Sequence, residues 1–280
     1  MHRLNTKIII DKVNGPNISI SEDHVVIEEP LEIQLCSETI NSSAAKTISI
    51  TMRTPGHDQD LAVGFLFGES IIQNEADIKS VDLIGKTDIK HGLQNIVRVT
   101  IDPSVTLDMK KLTRHFYTTS SCGVCGTTSI QALENNDCKP NQSKFSISQS
   151  KIIDLPRKLQ KKQMTFNKTG GLHAAAVFNS NGEIVLVRED IGRHNAVDKV
   201  IGSLFKSKKL PANEYGIIVS GRTSFELMQK TIVAGIPMLV AISAPSSLAI
   251  DLAKTYDITL IGFLRGEKFN IYSRKERVDC

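Results

Sequence analysis

Hydrophobic and polar residues alternate along the first hundred positions in the short runs typical of β-strands. Between the third and fourth runs, residues 57–72 begin with acidic side chains and place Leu61, Phe65 and Ile72 on one helical face. This pattern predicts a smaller N-terminal α+β domain. The predicted strands, all enriched in β-branched residues, are residues 7–13, 24–35, 46–52, 80–85 and 95–102.

The second half of the chain alternates helical and strand patterns. We expect a helix over residues 148–166 that is broken at Pro156, a hairpin over 173–189 that turns at Asn181-Gly182, and a helix over 193–207. Nearly continuous apolar strands between amphipathic helices then predict an α/β domain with a mixed or parallel sheet covered on both faces. These strands and helices alternate over residues 215–221, 223–235, 238–244, 246–256 and 258–264.

A domain boundary is predicted near residue 115. A Pro, a short basic helix pattern over residues 107–116 and a Ser/Thr-rich stretch follow one another there. The predicted domains are therefore residues 1–115, which are α+β, and residues 116–280, which are α/β.

Composition limits the classes of function. The chain has 280 residues, a net charge of +4 and no Trp, and only 5% of its residues are aromatic, which argues against nucleic-acid binding. No apolar run approaches the roughly 18 residues that a membrane helix requires, and the first residues lack the pattern of a secretory signal. The expected location is therefore cytoplasmic, with no membrane partner.

Two of the five cysteines have a spacing that suggests chemistry. Cys122 and Cys125 lie in the sequence TTSSCGVCGTT, and Val124 is the one apolar residue between Thr118 and Ser129. Such a loop disfavours a pair of inert buried thiols. The odd cysteine count argues for reduced thiols rather than a disulfide framework.

A Cys-X-X-Cys loop supports three chemistries. Zinc ligation would need two further ligands, which His115 and His173 could supply. Thiol–disulfide exchange would need a thiolate of lowered pKa, and carriage of sulfur as a cysteine persulfide would need an exposed, activated thiol. The two glycines and the Ser/Thr flanks favour a mobile loop, which suits the transfer of a group. The residues alone leave all three open.

Two predicted strand ends carry residues suited to an anionic ligand. In FLRGEK, residues 263–268, Gly266 permits close backbone approach, while Arg265 and Lys268 can donate charge-assisted hydrogen bonds to a pyrophosphate. Arg222, in SGRTS, can add an anion contact from a neighbouring strand end. The alternative for FLRGEK is a solvated turn between two strands.

Two histidine-containing segments suggest enzyme chemistry less strongly than the cysteine pair does. GGLHAAAVF resembles the His-X-Glu junction of zinc-dependent nucleobase deaminases, but Ala175 stands where the Glu should be and the cysteine pair precedes His173. A shared fold without deaminase activity is the expectation. In EDIGRHNAVDKV, we prefer an architectural or cofactor-orienting role for Glu189, Asp190, Arg193 and His194.

Several stretches in this order resemble the FdhD family, the sulfurtransferase accessory proteins of formate dehydrogenase. The resemblance implies a protein that takes sulfur from a cysteine desulfurase as a cysteine persulfide. It would pass that sulfur to the molybdenum of the Mo-bis(molybdopterin guanine dinucleotide) cofactor, which then enters formate dehydrogenase. A homodimer and a cytidine-deaminase-like C-terminal domain are implied as well. The matching stretches are residues 54–72, 120–126, 169–178, 187–202, 219–230 and 258–272.

The same resemblance assigns roles to individual residues. Cys122 would carry the persulfide, with Cys125 supporting or relaying, and no permanently bound metal is implied. An alternative is a chaperone that holds the cofactor while the cysteine pair serves redox sensing or zinc binding. The cofactor-binding segment would consist of Phe263, Leu264, Arg265, Gly266, Glu267 and Lys268.

Overall fold

The computed structural model describes residues 4–37, 45–88, 91–105, 133 and 138–279. The helix predicted over residues 107–116, the predicted domain boundary near residue 115 and the Cys122–Cys125 loop lie outside the described residues. No helix within the described ranges is long and apolar enough to cross a membrane.

The N-terminal half contains a separate β-hairpin and a four-stranded sheet. Strands β1 (Asn5–Asn14) and β2 (Asn17–Val26) pair antiparallel to form the hairpin. The sheet has the order β4-β3-β6-β5, and helix α1 (Asp58–Gly68) packs against it. Its strands are β3 (Glu29–Cys36), β4 (Lys46–Arg53), β5 (Ile78–Ile84) and β6 (Ile96–Ile101).

Two details of this half differ from the prediction. The single strand predicted over residues 24–35 is interrupted at Ile27, whose N–H bonds the Leu4 carbonyl at 3.0 Å where the hairpin meets the sheet. Helix α1 ends before Ile72, and Phe65 is only partly buried. The expected single apolar face is therefore wrong, because α1 lies between other elements and is buried on more than one side.

The C-terminal half is a six-stranded mixed sheet with the order β13-β12-β11-β10-β8-β9. Strands β10, β11 and β12 are parallel, whereas β8 and β13 run antiparallel to their neighbours. The mixed sheet and the hairpin turning at residues 181–182 are confirmed. The strands are β8 (His173–Phe178), β9 (Ile184–Asp190), β10 (Gly216–Val219), β11 (Met238–Ala241), β12 (Thr259–Arg265) and β13 (Lys268–Ser273).

Helices cover both faces of this sheet. Alternate residues of β10 face opposite sides, so Ile217 packs into one buried cluster and Ile218 into another. The first cluster includes side chains of the N-terminal half as well as α4, α5 and α6, and the second includes side chains of α2. The helices are α2 (Gln149–Lys162), α3 (Phe166–Thr169), α4 (Arg193–Lys206), α5 (Phe225–Val233) and α6 (Ser247–Thr255). The short strands β7 (Ile147–Ser148) and β14 (Val278–Asp279) pair in parallel beside them.

The predicted break at Pro156 is wrong, because α2 continues through that residue. Ile152, Leu155 and Leu159 are spaced three and four residues apart and are all buried against the sheet. Burial of this stripe outweighs the cost of about 3 kcal/mol that a proline imposes inside a helix.

Helices α1 and α4 cross at a pair of glycines that joins the two halves of the chain. A Cβ atom on Gly64 would overlap the backbone carbonyl of Asp198, and one on Gly202 would overlap the carbonyl of Asp60. The two backbones therefore approach more closely than any side chain would allow. This contact fixes the N-terminal sheet against the layer of helices that borders the candidate site.

Candidate functional site

The carboxyl ends of the parallel strands β10, β11 and β12 meet at one edge of the large sheet. Strand β8 begins at this edge because it runs antiparallel to β10, with Ala175 opposite Val219. Helix α4 also begins there, after Gly192. Ligands gather at such edges in open α/β sheets. The predicted strand-end segments, SGRTS and FLRGEK, both lie at this edge.

FLRGEK forms an exposed hairpin tip between β12 and β13. Arg265 pairs with Lys268 across a two-residue turn in which Gly266 has a φ of +54°, the left-handed region that favours glycine. A Cβ atom at Gly266 would meet nothing within 4 Å. Leu264 is buried and anchors the strand, whereas Arg265, Glu267 and Lys268 are exposed. The tip therefore offers two cations and an open backbone to a ligand.

Phe263 stands out of this strand in a strained conformation. Its φ is +55°, its side chain is 41% exposed, and the pairing register shifts between Gly262 and Arg265. The Phe263 N–H bonds the Ser243 carbonyl at 3.1 Å, which holds the irregular backbone in place. Irregularities of this kind re-aim side chains near functional sites. The sequence pattern gave no signal for this conformation.

A cleft of about 710 Å³ opens beside the same edge, between α2 and the strand ends. Five polar residues line it, namely Arg157, Gln160, Gln163, His173 and Ser220. The apolar part of the lining includes Phe166, Leu172, Ile191 and Ile242. Sequence reasoning missed this cleft, since its lining comes from four separate parts of the chain.

His173 lies at the start of β8 among polar neighbours. The Ser220 hydroxyl accepts a hydrogen bond from the Ala174 N–H at 2.9 Å and lies 3.5 Å from His173 Nδ1. A Cβ atom on Gly221 would lie 3.5 Å from both His173 Nδ1 and Arg193 Cδ, so these two side chains flank the glycine. Burial lowers the pKa of His173, and the Arg193 charge lowers that pKa further. The imidazole is therefore neutral at pH 7.

Asp190 and Lys199 form a buried ion pair just below this edge. Their Oδ2 and Nζ atoms are 2.6 Å apart, and the side chains are 0% and 1% exposed. Asp190 Oδ1 also accepts from the Gly192 N–H at 2.8 Å and from Asn195 Nδ2 at 3.0 Å. Thr54, from the N-terminal half, donates its N–H to Asp190 Oδ2 and accepts from Lys199 Nζ. These contacts agree with an architectural role for Asp190.

Glu189 and His194 also make structural contacts. The Glu189 carboxylate accepts from the backbone N–H groups of Thr165 and Phe166 at 3.0 and 2.7 Å, which holds the start of α3 beside the cleft. His194 Nε2 lies 3.7 Å from a Glu226 carboxylate oxygen. The hydrogen bond with His194 lowers the pKa of Glu226 to about 2, and a further bond with Ser224 acts in the same direction.

The remaining residues that the sequence predicts for the site are Arg222, Cys122, Cys125 and His115. Arg222 is exposed directly after β10, at the same edge as the hairpin tip. Cys122 and Cys125 lie outside the described residues, as does His115. Within the ranges that the structure describes, no group of three His, Cys, Asp or Glu side chains is arranged to hold a metal ion.

Comparison with known proteins identifies the family. The family model described as FdhD/NarQ family matches residues 26–279. The chain belongs to the FdhD/NarQ family. Its relatives in that family include the sulfur carrier protein FdhD of Streptomyces coelicolor, which is 43% identical over 99% of this chain and 97% of the relative. The sulfur carrier protein FdhD of Sulfurisphaera tokodaii is 42% identical over 97% of this chain and 98% of the relative.

The fold of this FdhD/NarQ protein matches a crystal structure over nearly its whole length. A formate dehydrogenase accessory protein from Desulfotalea psychrophila superimposes with a TM-score of 0.75. The match covers 99% of this chain and 100% of the other at 23% sequence identity, which shows a shared fold.

Proposed function

We propose that this FdhD/NarQ protein is a sulfur carrier for formate dehydrogenase. It accepts sulfane sulfur from a cysteine desulfurase on Cys122 and passes it to the molybdenum of Mo-bis(molybdopterin guanine dinucleotide), which is its substrate. The observation that carries this proposal is the nearly full-length similarity, at 43% identity, to a protein named sulfur carrier protein FdhD. Cys125 supports or relays the transfer.

The loading step is a thiol exchange that requires no external oxidant. The Cys122 thiolate attacks the terminal sulfur of the donor persulfide, and the sulfur–sulfur bond of the donor breaks. The donor cysteine leaves as a thiolate, and Cys122 now carries the persulfide. A low-pKa, accessible thiol favours this reaction.

The hairpin tip at residues 263–268 supports a role in holding the cofactor. Arg265 and Lys268 flank an open glycine turn, and charge-assisted hydrogen bonds from such side chains bind phosphate oxygens strongly. Arg222, at the same edge, adds a third cation for an elongated ligand with two pyrophosphate groups. The tip therefore suits the anionic, nucleotide-bearing part of the proposed substrate.

The proposal also covers the domain organisation, the oligomeric state, the location and the partners of the protein. The mixed sheet with helices on both faces supports a cytidine-deaminase-like C-terminal domain over residues 116–280, preceded by the α+β domain of residues 1–115. We further propose that the protein is a homodimer in the cytoplasm. A cysteine desulfurase is its sulfur donor, and formate dehydrogenase is the recipient of the sulfurated cofactor.

Formate dehydrogenase activity in a cell that lacks its own FdhD protein tests this function. We expect the wild-type chain to restore activity and Cys122→Ala to leave it at background, because the thiol that accepts the sulfur is removed. The double variant Arg265→Ala/Lys268→Ala should also lose most of the activity, because the cofactor is held less tightly. Cys138→Ala serves as a matched control and should restore activity as the wild type does.

Full restoration by Cys122→Ala would contradict sulfur carriage. That result, together with loss of activity in the hairpin variant, would favour a chaperone that holds the cofactor without donating sulfur.

A further inference from the structure

Strand β1 of the N-terminal hairpin has the sequence of a strand inside a sheet, although it lies at an edge. It carries three consecutive isoleucines, Ile8, Ile9 and Ile10, and β2 is the one strand paired with it among the residues that the structure describes. Ile9 is 68% exposed and Ile8 is 40% exposed. Continuous apolar runs are typical of covered strands, and an exposed apolar edge strand is a template for pairing with another chain. Strand β1 therefore offers its outer edge to a further strand.

The turn of the hairpin determines which backbone groups face that edge. Asn14 pairs with Asn17 across a two-residue turn, and only the hydrogen-bonded type of antiparallel pair can close such a turn. Hydrogen-bonded and non-hydrogen-bonded pairs then alternate along the hairpin. The even-numbered residues of β1 therefore bond β2, whereas the N–H and C=O groups of Lys7, Ile9 and Asp11 point outward.

The side chains along this edge are complementary to themselves in antiparallel order. Lys7 and Asp11 lie at equal distances on either side of Ile9. In a two-fold contact centred on Ile9, Lys7 of one copy therefore lies opposite Asp11 of the other. A centre at Lys7 or Asp11 would place like charges opposite each other, which destabilises a sheet, and a centre at Ile8 or Ile10 would pair neither charge. The edge thus selects one register.

We propose that β1 pairs antiparallel with β1 of a second copy of this chain, in the register that places Ile9 opposite Ile9. The two hairpins then form one four-stranded sheet, which is more stable than a two-stranded hairpin alone. Ile9 of each copy meets on one face, and Ile8 of each copy meets Ile10 of the other on the opposite face. This inference rests on the proposed function only for its homodimer, to which it assigns a contact surface.

A charge next to the edge and the anchored base of the hairpin support this contact. Lys7 Nζ lies 2.8 Å from Glu22 Oε2 of its own hairpin, and both side chains are more than half exposed. In the proposed sheet, Lys7 lies between Glu22 and Asp11 of the second copy, so one cation interacts with two carboxylates. The base of the hairpin is held where the Ile27 N–H bonds the Leu4 carbonyl at 3.0 Å. The edge is therefore already in place for pairing.

Sedimentation equilibrium of the full chain, with a reductant present, tests the contact. We expect Ile9→Asp to raise the dissociation constant of the dimer by at least about tenfold, because two carboxylates would lie opposite each other at the two-fold axis. Ile18→Asp is the matched control, because Ile18 lies on the same face and is 71% exposed but belongs to β2, opposite Val13. It should change the dissociation constant by less than about threefold.

A disulfide tests the register itself. The Cα atoms of a hydrogen-bonded antiparallel pair are about 5.5 Å apart, a distance that a disulfide can span. Under oxidising conditions we expect Ile9→Cys to form a covalent dimer through residue 9, identified by peptide mapping, and Ile18→Cys to form far less. The wild type, treated in parallel, gives the background from the five native cysteines.

Three results would overturn the proposal. They are a wild type that stays monomeric at every concentration, an Ile9→Asp variant that associates as tightly as the wild type, and an Ile9→Cys variant that forms no more disulfide-linked dimer than Ile18→Cys. A dimer that Ile9→Asp leaves unchanged would keep the homodimer of the proposed function and place its contact elsewhere. Persulfide formation on Cys122, measured by mass on the same variants, reports separately on sulfur carriage.

Discussion

Replacing Gly64 or Gly202 with alanine is expected to lower the free energy of unfolding by about 3 kcal/mol or more. A new Cβ atom on Gly64 would overlap the Asp198 carbonyl, and one on Gly202 would overlap the Asp60 carbonyl. Backbone atoms cannot rotate away as a side chain can, so the two helices must separate. Alanine otherwise favours a helix by about 1 kcal/mol over glycine, which makes the expected loss of stability diagnostic of the contact.

Chemical denaturation of the purified variants measures this effect. Gly68→Ala is the comparison in the same helix, because the three atoms nearest to its Cβ would all belong to side chains, those of Lys230, at 3.1 Å from Nζ, and Asp198, at 3.8 Å from Oδ1. We expect that control to stay within about 1 kcal/mol of the wild type. Equal midpoints for Gly64→Ala, Gly202→Ala and Gly68→Ala would contradict the close approach of α1 and α4.

Lys199→Met is expected to cost about 3–5 kcal/mol of stability, because it leaves the buried Asp190 carboxylate without its counter-ion. Lys199 Nζ lies 2.6 Å from Asp190 and also donates to the Thr54 carbonyl at 2.8 Å, so both halves of the chain lose a contact. The Met side chain is similar in length to that of Lys and fills the space of its buried methylene groups. The loss of stability therefore measures the contribution of the Lys199 charge and its hydrogen bonds.

Lys206→Met provides the comparison within the same helix. Lys206 is 41% exposed and pairs with Asp60 at 3.0 Å, and partly exposed pairs of this kind contribute about 1 kcal/mol or less. Denaturant midpoints should therefore fall far more for Lys199→Met than for Lys206→Met. The double variant Asp190→Asn/Lys199→Met should recover part of the loss, since it removes the unpaired charge. A small effect of Lys199→Met would contradict the structural role of this pair.

The sequence predicts the C-terminal sheet well because its strands are buried on both faces. Residues 216–219 and 238–241 are fully buried, so they show continuous apolar runs that are easily told from amphipathic helices. The hairpin at Asn181-Gly182 follows from local turn chemistry. The antiparallel pairing of β8 with β10 is not decided by these local signals, because β9 and α4 lie between the two strands in the chain.

Features that depend on distant contacts could not be predicted in the same way. Pro156 normally breaks a helix, but the packing of Ile152, Leu155 and Leu159 keeps α2 continuous. The pairing of Gly64 with Gly202 joins helices that are more than a hundred residues apart in the chain. Both outcomes are decided by tertiary packing rather than by local propensity.

The candidate site also contains one part that the sequence predicts and one part that depends on distant contacts. The hairpin tip at residues 263–268 is visible in the sequence because Gly, Arg and Lys lie together at a strand end. The cleft takes Gln163, His173 and Ser220 from separate segments, and the sequence singles out His173 alone among them, through the segment GGLHAAAVF. Folding of β8 against β10 brings His173 and Ser220 together, and the start of α3 lies beside them.

Intact-protein mass spectrometry after incubation with a cysteine desulfurase and cysteine tests sulfur carriage most directly. We expect the wild type to gain the mass of one sulfur atom, the gain to be reversed by a reductant, and Cys122→Ala to show none. Cys125→Ala, run in parallel, should still acquire the first sulfur, because Cys125 supports or relays rather than accepts it. An unchanged mass of the wild type, or an equal gain in Cys122→Ala, would contradict the assignment of this chain as a persulfide carrier on Cys122.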